Sequence, residues 1–377
     1  MAGIYIHIPY CRQKCHYCNF YSVASQASMP VMIKAICREI ELQQSYPEGK
    51  TIETIYFGGG TPSLLAQGML AEIMGSLRKQ FTVSAEAEIT LEANPDDITV
   101  EKLQEWKSAG INRLSVGIQS FRDEDLQYLN RVHSAFKARE CIQLARESGF
   151  DNLTIDLIFG IPTLTDKAWL SNIKTATNLE IPHISAYALT VEPKTALEVM
   201  IRKGKAAPVD EQQLAHHFEI LIKEMKAKGY LHYEISNYCL PGQFARHNTA
   251  YWNGETYLGL GPSAHSYNGK TRQWNVSVIK EYLESIGNNI IPSELEILSR
   301  EQQYNEFVMT GMRTMWGCNS NEIEQKFGKP FSDNFTNNIA PWIEKKCISK
   351  SGEQYTLTPK GILLADGITS DLFMLGN

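Results

Sequence analysis

Long apolar runs are missing from this chain of 377 residues. Its longest uncharged stretch, Thr54 to Ala71, is broken by Gly58, Gly59, Gly60, Pro62 and Gly68, which makes it a poor membrane span. A basic excess is missing too: 36 Lys and Arg stand against 42 Asp and Glu, net −6, a sign that repels phosphate backbones and makes nucleic acid an unexpected partner. Met1 to Tyr10 hold no Lys or Arg and no signal-peptide core, so a cytoplasmic protein without an integral membrane segment is expected. Repeats and low-complexity tracts are absent. Cysteine is sparse, with eight in the chain, but three of them fall between positions 11 and 18. That crowding excludes an ordinary disulfide framework and points to a metal site in a reducing compartment.

What is present is alternation. Short β-rich runs at Ile4 to Ile8, Thr54 to Phe57, Glu88 to Leu91, Arg113 to Ile118, Leu153 to Ile158 and His183 to Leu189 are separated by helical segments. Those helices are expected at Met29 to Ser45, Leu64 to Lys79, Thr99 to Ala109, Ser134 to Ser148 and Asp166 to Asn178. Repeated strand, helix, strand units demand parallel strands with right-handed crossovers. Glycines 58 to 60, Glu92, Gln119 and Asp156 each fall at or just past the C-terminal end of a different strand, where a barrel gathers ligand groups on one rim. The fold class expected is α/β, a six-stranded partial (β/α) barrel over residues 1–230.

A helix from Glu211 to Lys228, with Leu214, Phe218, Leu221, Ile222 and Met225 on one face, closes this region and leaves His216 and His217 on its surface. Residues 231–299, rich in Gly, Tyr, Trp and Asn, read as an irregular β extension. Residues 300–377 read as a small helical module of winged-helix-like order. Between 301 and 377 there are 7 Lys or Arg against 9 Asp or Glu, net −2, which favours packing or partner docking over DNA. Cysteines 37, 141, 239, 318 and 347 read as small buried hydrophobes, and Met309, Met312, Met315 and Trp316 as core or a docking face.

The sharpest motif is Cys11-Arg12-Gln13-Lys14-Cys15-His16-Tyr17-Cys18, directly after the first strand. Three thiolates on one loop hold three corners of an iron-sulfur cube and leave one iron open to an exogenous ligand. Zinc completed by His16 is the rival, although His16 adjoins Cys15 and is poorly placed to share its metal. This spacing, ahead of a partial barrel, resembles the radical S-adenosylmethionine superfamily. There the open iron chelates S-adenosylmethionine, and an electron from the cluster cleaves the sulfonium to a 5'-deoxyadenosyl radical. The resemblance implies a 4Fe-4S cluster on Cys11, Cys15 and Cys18, an electron donor, Tyr17 beside cluster and adenine, and Gly59, Gly60 and Thr61 along the cofactor's amino group.

Gly58-Gly59-Gly60-Thr61-Pro62, Leu91-Glu92-Ala93-Asn94-Pro95, Ser115-Val116-Gly117-Ile118-Gln119-Ser120-Phe121 and Asp156-Leu157-Ile158-Phe159-Gly160-Ile161-Pro162 are similar to the oxygen-independent coproporphyrinogen III oxidases and their relatives. Carried over by motif, Tyr5, Glu92, Gln119, Arg131 and Asp156 are implied as S-adenosylmethionine ligands. Those oxidases carry a further cysteine two residues after the third cluster cysteine and an N-terminal extension. This chain has Phe20 there and only ten residues before Cys11. Both departures match the HemW branch, regarded as haem chaperones that pass haem to an acceptor protein. His247-Asn248-Thr249-Ala250-Tyr251-Trp252 also resembles that branch's HNxxYW motif. It implies His247 as axial haem ligand, Tyr251 and Trp252 over the porphyrin face and Arg246 on a propionate. The turn Gly259 to Ser266 is a further place where backbone approaches a ligand, with His265 near the barrel mouth. A radical decarboxylase of coproporphyrinogen III is the alternative function.

Overall fold

A computed structural model describes residues 1–375. Six parallel strands run in sequential order: β1 (Ala2–Ile8), β2 (Ile52–Gly59), β3 (Val83–Ala93), β4 (Arg113–Gln119), β5 (Leu153–Phe159) and β6 (His183–Ala188). Their neighbours pair in register, for example Tyr5 with Tyr56 and Asp156 with Ser185. Because every crossover advances one strand in the same direction and is right-handed, the connecting helices all fall on one face, and the sheet curls as a partial barrel. These helices are α1 (Met29–Leu42), α2 (Met69–Gln80), α3 (Val100–Ala109), α4 (Asp123–Tyr128), α5 (Ala135–Glu147) and α6 (Asp166–Asn178).

Each strand alternates. Ile4, Ile6 and Ile8 of β1 are fully buried and belong to one core with Ile33, Ile36 and Ile40 of α1, each burial contributing roughly 1.5–3 kcal/mol. Gly3, Tyr5 and His7 face the other way. The same alternation gives inward Thr54, Tyr56 and Gly58 on β2, Arg113, Ser115 and Gly117 on β4, and His183, Ser185 and Tyr187 on β6. A barrel interior is ordinarily filled with branched apolar side chains. This one is lined with polar ones, which need partners or a ligand.

The helices stop where the local chemistry says. Thr99 and Ser134 cap α3 and α5 through backbone N–H groups of Lys102 and Lys137, and Gly110 ends α3 in the left-handed region. The second helix begins at Met69 rather than Leu64, because Pro62–Leu64 form a separate 3-10 turn and Gly68 has φ +83°. Two further helices follow the barrel, α7 (Ala196–Arg202) and α8 (Glu211–Ala227). His216 lies on the surface of α8 as expected, but His217 is fully buried. Its ring packs 6.2 Å from Trp169 and its Nδ1 accepts from Gly160 N at 3.2 Å, because α8 lies across α6 and the turn after β5.

Residues beyond α8 extend the sheet at both edges. Strand β8 (Asn237–Cys239) pairs antiparallel with β6, and β7 (Leu231–Glu234) pairs antiparallel with β8 at the edge. Helix α9 (Arg246–Trp252) follows, and then β9 (Thr256–Leu260) pairs parallel with β1 at the far edge. The segment expected as irregular β structure is therefore helical where the His247 motif lies. Strands β10 (His265–Tyr267), β11 (Thr271–Asn275) and β12 (Ser293–Ile297) complete a 12-stranded sheet, with α10 (Ile279–Gly287) packed on α1.

A second core around Tyr304, Val308, Phe335 and Ile339 joins α11 (Arg300–Met312), α12 (Ser320–Phe327), α13 (Lys329–Glu344), α14 (Pro359–Ile362) and α15 (Ala365–Leu372). Three short strands, β13 (Cys318–Asn319), β14 (Ile348–Ser351) and β15 (Gln354–Leu357), give this unit its winged-helix-like order. Cysteines 141, 239, 318 and 347 are buried and Cys37 is half-buried. Met312 is core, whereas Met315 and Trp316 remain partly exposed. No helix among the described residues is long and apolar enough to cross a membrane.

Candidate functional site

The cysteine loop leaves the C-terminal end of β1. Cys11 N donates to Val23 O at 3.0 Å and Val23 N to Pro9 O at 2.9 Å, which ties the loop's ends together. Asn130 Nδ2 reaches Lys14 O at 3.0 Å, and His16 N and Nδ1 bond the carbonyls of Leu129 and Tyr128. The loop is thus a built structure, held by the segment after β4. Two donors meet its sulfurs: Thr61 Oγ1 lies 3.5 Å from Cys11 Sγ, and Arg131 Nη1 lies 3.3 Å from Cys15 Sγ. Both side chains can donate to a sulfur that ligates iron. Among the described residues no three His, Cys, Asp or Glu side chains converge on a single ion position, and His16 Nδ1 is turned to Tyr128 O.

Around the loop lie the other residues implied for the cofactor. Tyr17 is packed among Arg131, Cys15 and Cys18, and burial raises its phenol. Arg131 Nη2 donates to Asn94 Oδ1 at 2.7 Å and to Gly117 O at 2.8 Å, while its buried Nε has no partner. Gln119 is buried beside it, with φ +64° where β4 turns. Glu92 accepts from Tyr56 Oη at 2.8 Å, and Asp156 accepts from Ser185. Burial pushes Glu92 up to about 8 and Asp156 up to about 7, and the Asp156 charge raises Glu92 further. Tyr5 Oη bonds His7 Nδ1 at 3.2 Å and its ring stacks on Tyr56.

The glycine turn after β2 is cramped. A Cβ at Gly60 would stand 2.6 Å from Tyr10 O and 2.9 Å from Ile8 O, one at Gly59 2.7 Å from the His7 ring, and one at Gly58 3.1 Å from Glu92 Oε1. Main chain therefore lies bare beside two carboxyls with raised proton affinity, an unpartnered arginine nitrogen and three thiols. That donor set fits a cluster with a bound ligand bearing hydroxyl, amino and carboxylate groups.

His247 is elsewhere. Helix α9 carries it to the N-terminal ends of β1, β2 and β3, where its Nδ1 lies 2.8 Å from Thr54 Oγ1 and its backbone N donates to Glu88 Oε1 at 3.1 Å. Its ring stacks on Tyr56 with centroids 5.2 Å apart, and burial pushes the imidazole down to about 4, so it is neutral at neutral pH. Gly3 makes room, since a Cβ there would be 2.8 Å from Thr54 Oγ1 and 3.2 Å from His247 Cε1. Five residue steps along β1 separate Gly3 from Ile8, about 17 Å. Trp252 Nε1 is buried without a partner, and Tyr251, 46% exposed, sets its ring at 86° to that of Trp252. Arg246 is committed to the barrel, with Nη1 on Glu86 O at 2.6 Å and Nη2 on Glu53 Oε2 at 3.1 Å.

The turn at Gly259 to Ser266 is structural. Gly261 N donates to the buried carboxyl of Glu39 at 2.8 Å, and a Cβ at Gly261 would meet His7 O at 2.6 Å. Sequence reasoning missed Thr54, Tyr56 and Gly58 as one inward row. Their signal is the two-residue step back from the glycine turn along β2.

The fold and these motifs define the class. Residues 5–176 match the radical SAM superfamily and residues 298–364 the HemN C-terminal domain. The solved structure of coproporphyrinogen III oxidase (HemN) from Escherichia coli shares the fold, with a TM-score of 0.86 at 23% identity over 99% of this chain and 90% of that one. The heme chaperone HemW of Bacillus subtilis (strain 168) is 36% identical over 372 residues, 98% of each protein. That of Mycobacterium tuberculosis (strain CDC 1551 / Oshkosh) is 34% identical over 375 residues, 98% of this chain and 94% of the relative. The chain belongs to the HemW family.

Proposed function

We propose that the chain is a cytoplasmic haem chaperone that carries haem on His247 and a 4Fe-4S cluster with S-adenosylmethionine at the opposite end of the barrel, and delivers the haem to an acceptor protein. The observation that carries this reading is the separation of the two ends. When bound, a cluster with S-adenosylmethionine supplies reductive cleavage chemistry that acts only on atoms in contact with the cofactor. A porphyrin held at His247, with Tyr56 between it and Glu92, is read as cargo and not as the substrate of a decarboxylase.

At the upper end Cys11, Cys15 and Cys18 hold the cluster, and Thr61 and Arg131 donate toward their sulfurs. Glu92 and Asp156 accept ribose hydroxyls, Arg131 and Gln119 offer donors to the cofactor carboxylate, and the bare main chain at Gly59 and Gly60 takes its amino group. Tyr5 and Tyr17 close the sides. An electron donor serves this end. At the lower end His247 Nδ1 is engaged with Thr54 Oγ1, which would leave Nε2 for iron, and Tyr251 and Trp252 would lie against the macrocycle. The neutral imidazole needs no proton removed before it binds.

The test is an anaerobic assay of the reconstituted protein with coproporphyrinogen III, S-adenosylmethionine and a strong reductant, run beside an active oxidase, with haem titration of wild type and His247→Ala. Porphyrin mass should stay unchanged, and the His247→Ala haem spectrum should shift while cluster iron is retained. Loss of two carboxyl groups per porphyrin would make the protein an oxidase that dispenses with the extra cysteine at Phe20.

A further inference from the structure

Tyr56 stands in the middle of the barrel interior, and neither end as described uses it. Its ring stacks on His247 at 5.2 Å and 27° on one side and on Tyr5 at 6.1 Å and 23° on the other. Its hydroxyl donates to Glu92 Oε1 at 2.8 Å. Gly58 leaves the space for this arrangement, since a Cβ there would lie 2.9 Å from both tyrosine rings. One side chain therefore touches the carboxyl assigned to the cofactor and the imidazole assigned to iron.

We propose that Tyr56 is a positioning residue that couples the two ends, so that occupancy of Glu92 alters how the His247 ring is held for haem, and haem on His247 alters binding at Glu92. The inference rests on the roles given above to His247 and Glu92. A donor arriving at Glu92 either takes the oxygen that accepts from Tyr56 or strengthens that bond by holding the carboxylate ionised. The hydroxyl then moves or tightens. The ring cannot absorb the change alone, because a close-packed interior transmits displacement to what it touches, and here that is His247. Coupling of this kind is reciprocal: each ligand changes the other's affinity by the same factor.

The experiment is an equilibrium haem titration of the cluster-reconstituted protein, with and without saturating S-adenosylmethionine and with no reductant present. In wild type the two haem dissociation constants should differ by about five-fold or more. In Tyr56→Phe, which keeps the ring and loses only the hydroxyl, the ratio should fall within about two-fold while the haem spectrum without S-adenosylmethionine stays that of wild type. Tyr56→Leu should also abolish the ratio and in addition shift the haem band. A ratio of one in wild type, or a ratio that survives in Tyr56→Phe, overturns the proposal. An unchanged haem spectrum in His247→Ala, or unchanged S-adenosylmethionine affinity in Glu92→Gln, would instead show that one of the underlying roles is misassigned and would take the coupling down with it.

Discussion

The two ends of the barrel are made of the same strands and are built in opposite ways. At the C-terminal end, groups are left for a ligand: Arg131 Nε has no partner, burial raises the carboxyls of Glu92 and Asp156, and the glycine turn bares its main chain. At the N-terminal end most polar groups facing the barrel interior are paired, and Thr249 Oγ1 and Trp252 Nε1 of α9 are left over. Arg113 Nη2 donates to Thr154 Oγ1 at 2.6 Å, His183 bridges Thr154 and Tyr233 at 3.2 and 2.8 Å, and Arg246 and His247 are each anchored on β2. Unsatisfied buried groups are costly unless a ligand completes them, whereas a satisfied network holds one side chain in one pose. The upper end is shaped to be completed by a ligand, and the lower end is shaped to present a single imidazole.

The harshest way to break this comparison is Cys15→Ser. It should abolish cluster binding, read as loss of cluster iron after reconstitution. The far-ultraviolet circular dichroism and the haem spectrum at His247 should be unchanged, because the loop is tied by backbone bonds rather than by sulfur. Loss of haem ligation in that variant would mean that the lower end depends on the upper one for its fold.

Next in size is pH, which should act on the two ends with opposite sign in ligand-free protein. Burial raises Glu92 from 4.5 to about 8 and Asp156 from 3.8 to about 7. The folded state then keeps protons that the unfolded chain has released, so stability is full below about pH 4 and falls as pH rises towards 8. Each group contributes at most about 1.4 kcal/mol per pH unit. His247 is depressed from 6.5 to about 4, so its contribution is present above pH 6.5 and is lost as pH falls through that window. Glu92→Gln should flatten the alkaline side of a melting-temperature profile and leave the acid side as it was. An unaltered alkaline side would show that water already solvates the upper carboxyls.

The glycines sharpen the contrast further. At Gly60 a Cβ meets backbone carbonyl oxygens at 2.6 and 2.9 Å, which cannot yield, whereas at Gly3 it first meets Thr54 Oγ1 at 2.8 Å, which can rotate. Gly60→Ala should cost about 2 kcal/mol in a denaturant titration and weaken S-adenosylmethionine binding. Gly3→Ala should cost less, leave that binding intact, and change the haem spectrum by disturbing Thr54 and His247. Equal losses in both would remove the distinction between a rigid upper turn and an adjustable lower one.

What the residues disclosed on their own follows the same division. The upper end was legible because its groups come from successive strands: Gly60, Glu92 and Gln119 lie at or beside strand ends, and Asp156 lies three residues back from the end of β5. The lower end was not. His247 meets Thr54 across 193 residues, through a helix that joins β8, beside β6, to β9, beside β1. Nothing in the local pattern of residues 237–260 states that connection. His217 was misplaced for a related reason: a helix face is read as exposed until the element that covers it, here α6 with Trp169, is known. The parallel pairing of β9 with β1 is a long-range fact of the same kind.

The smallest effect tests the one lower-end residue whose partner differs from expectation. The HNxxYW resemblance put Arg246 on a haem propionate, but its guanidinium is shared between Glu86 O and Glu53 Oε2 and is partly exposed. An exposed pair of this sort contributes well under about 1 kcal/mol, so Arg246→Ala should barely change stability. If the side chain stays on Glu53 when haem is present, haem affinity should change by less than about three-fold, with no change in salt dependence, since that is the scale of one such pair. A ten-fold loss that fades at high salt would mean that Arg246 leaves Glu53 for a propionate. In that case the lower end would also reorganise around its ligand, and the contrast between its two poles would narrow to the cysteine loop and the glycine turn.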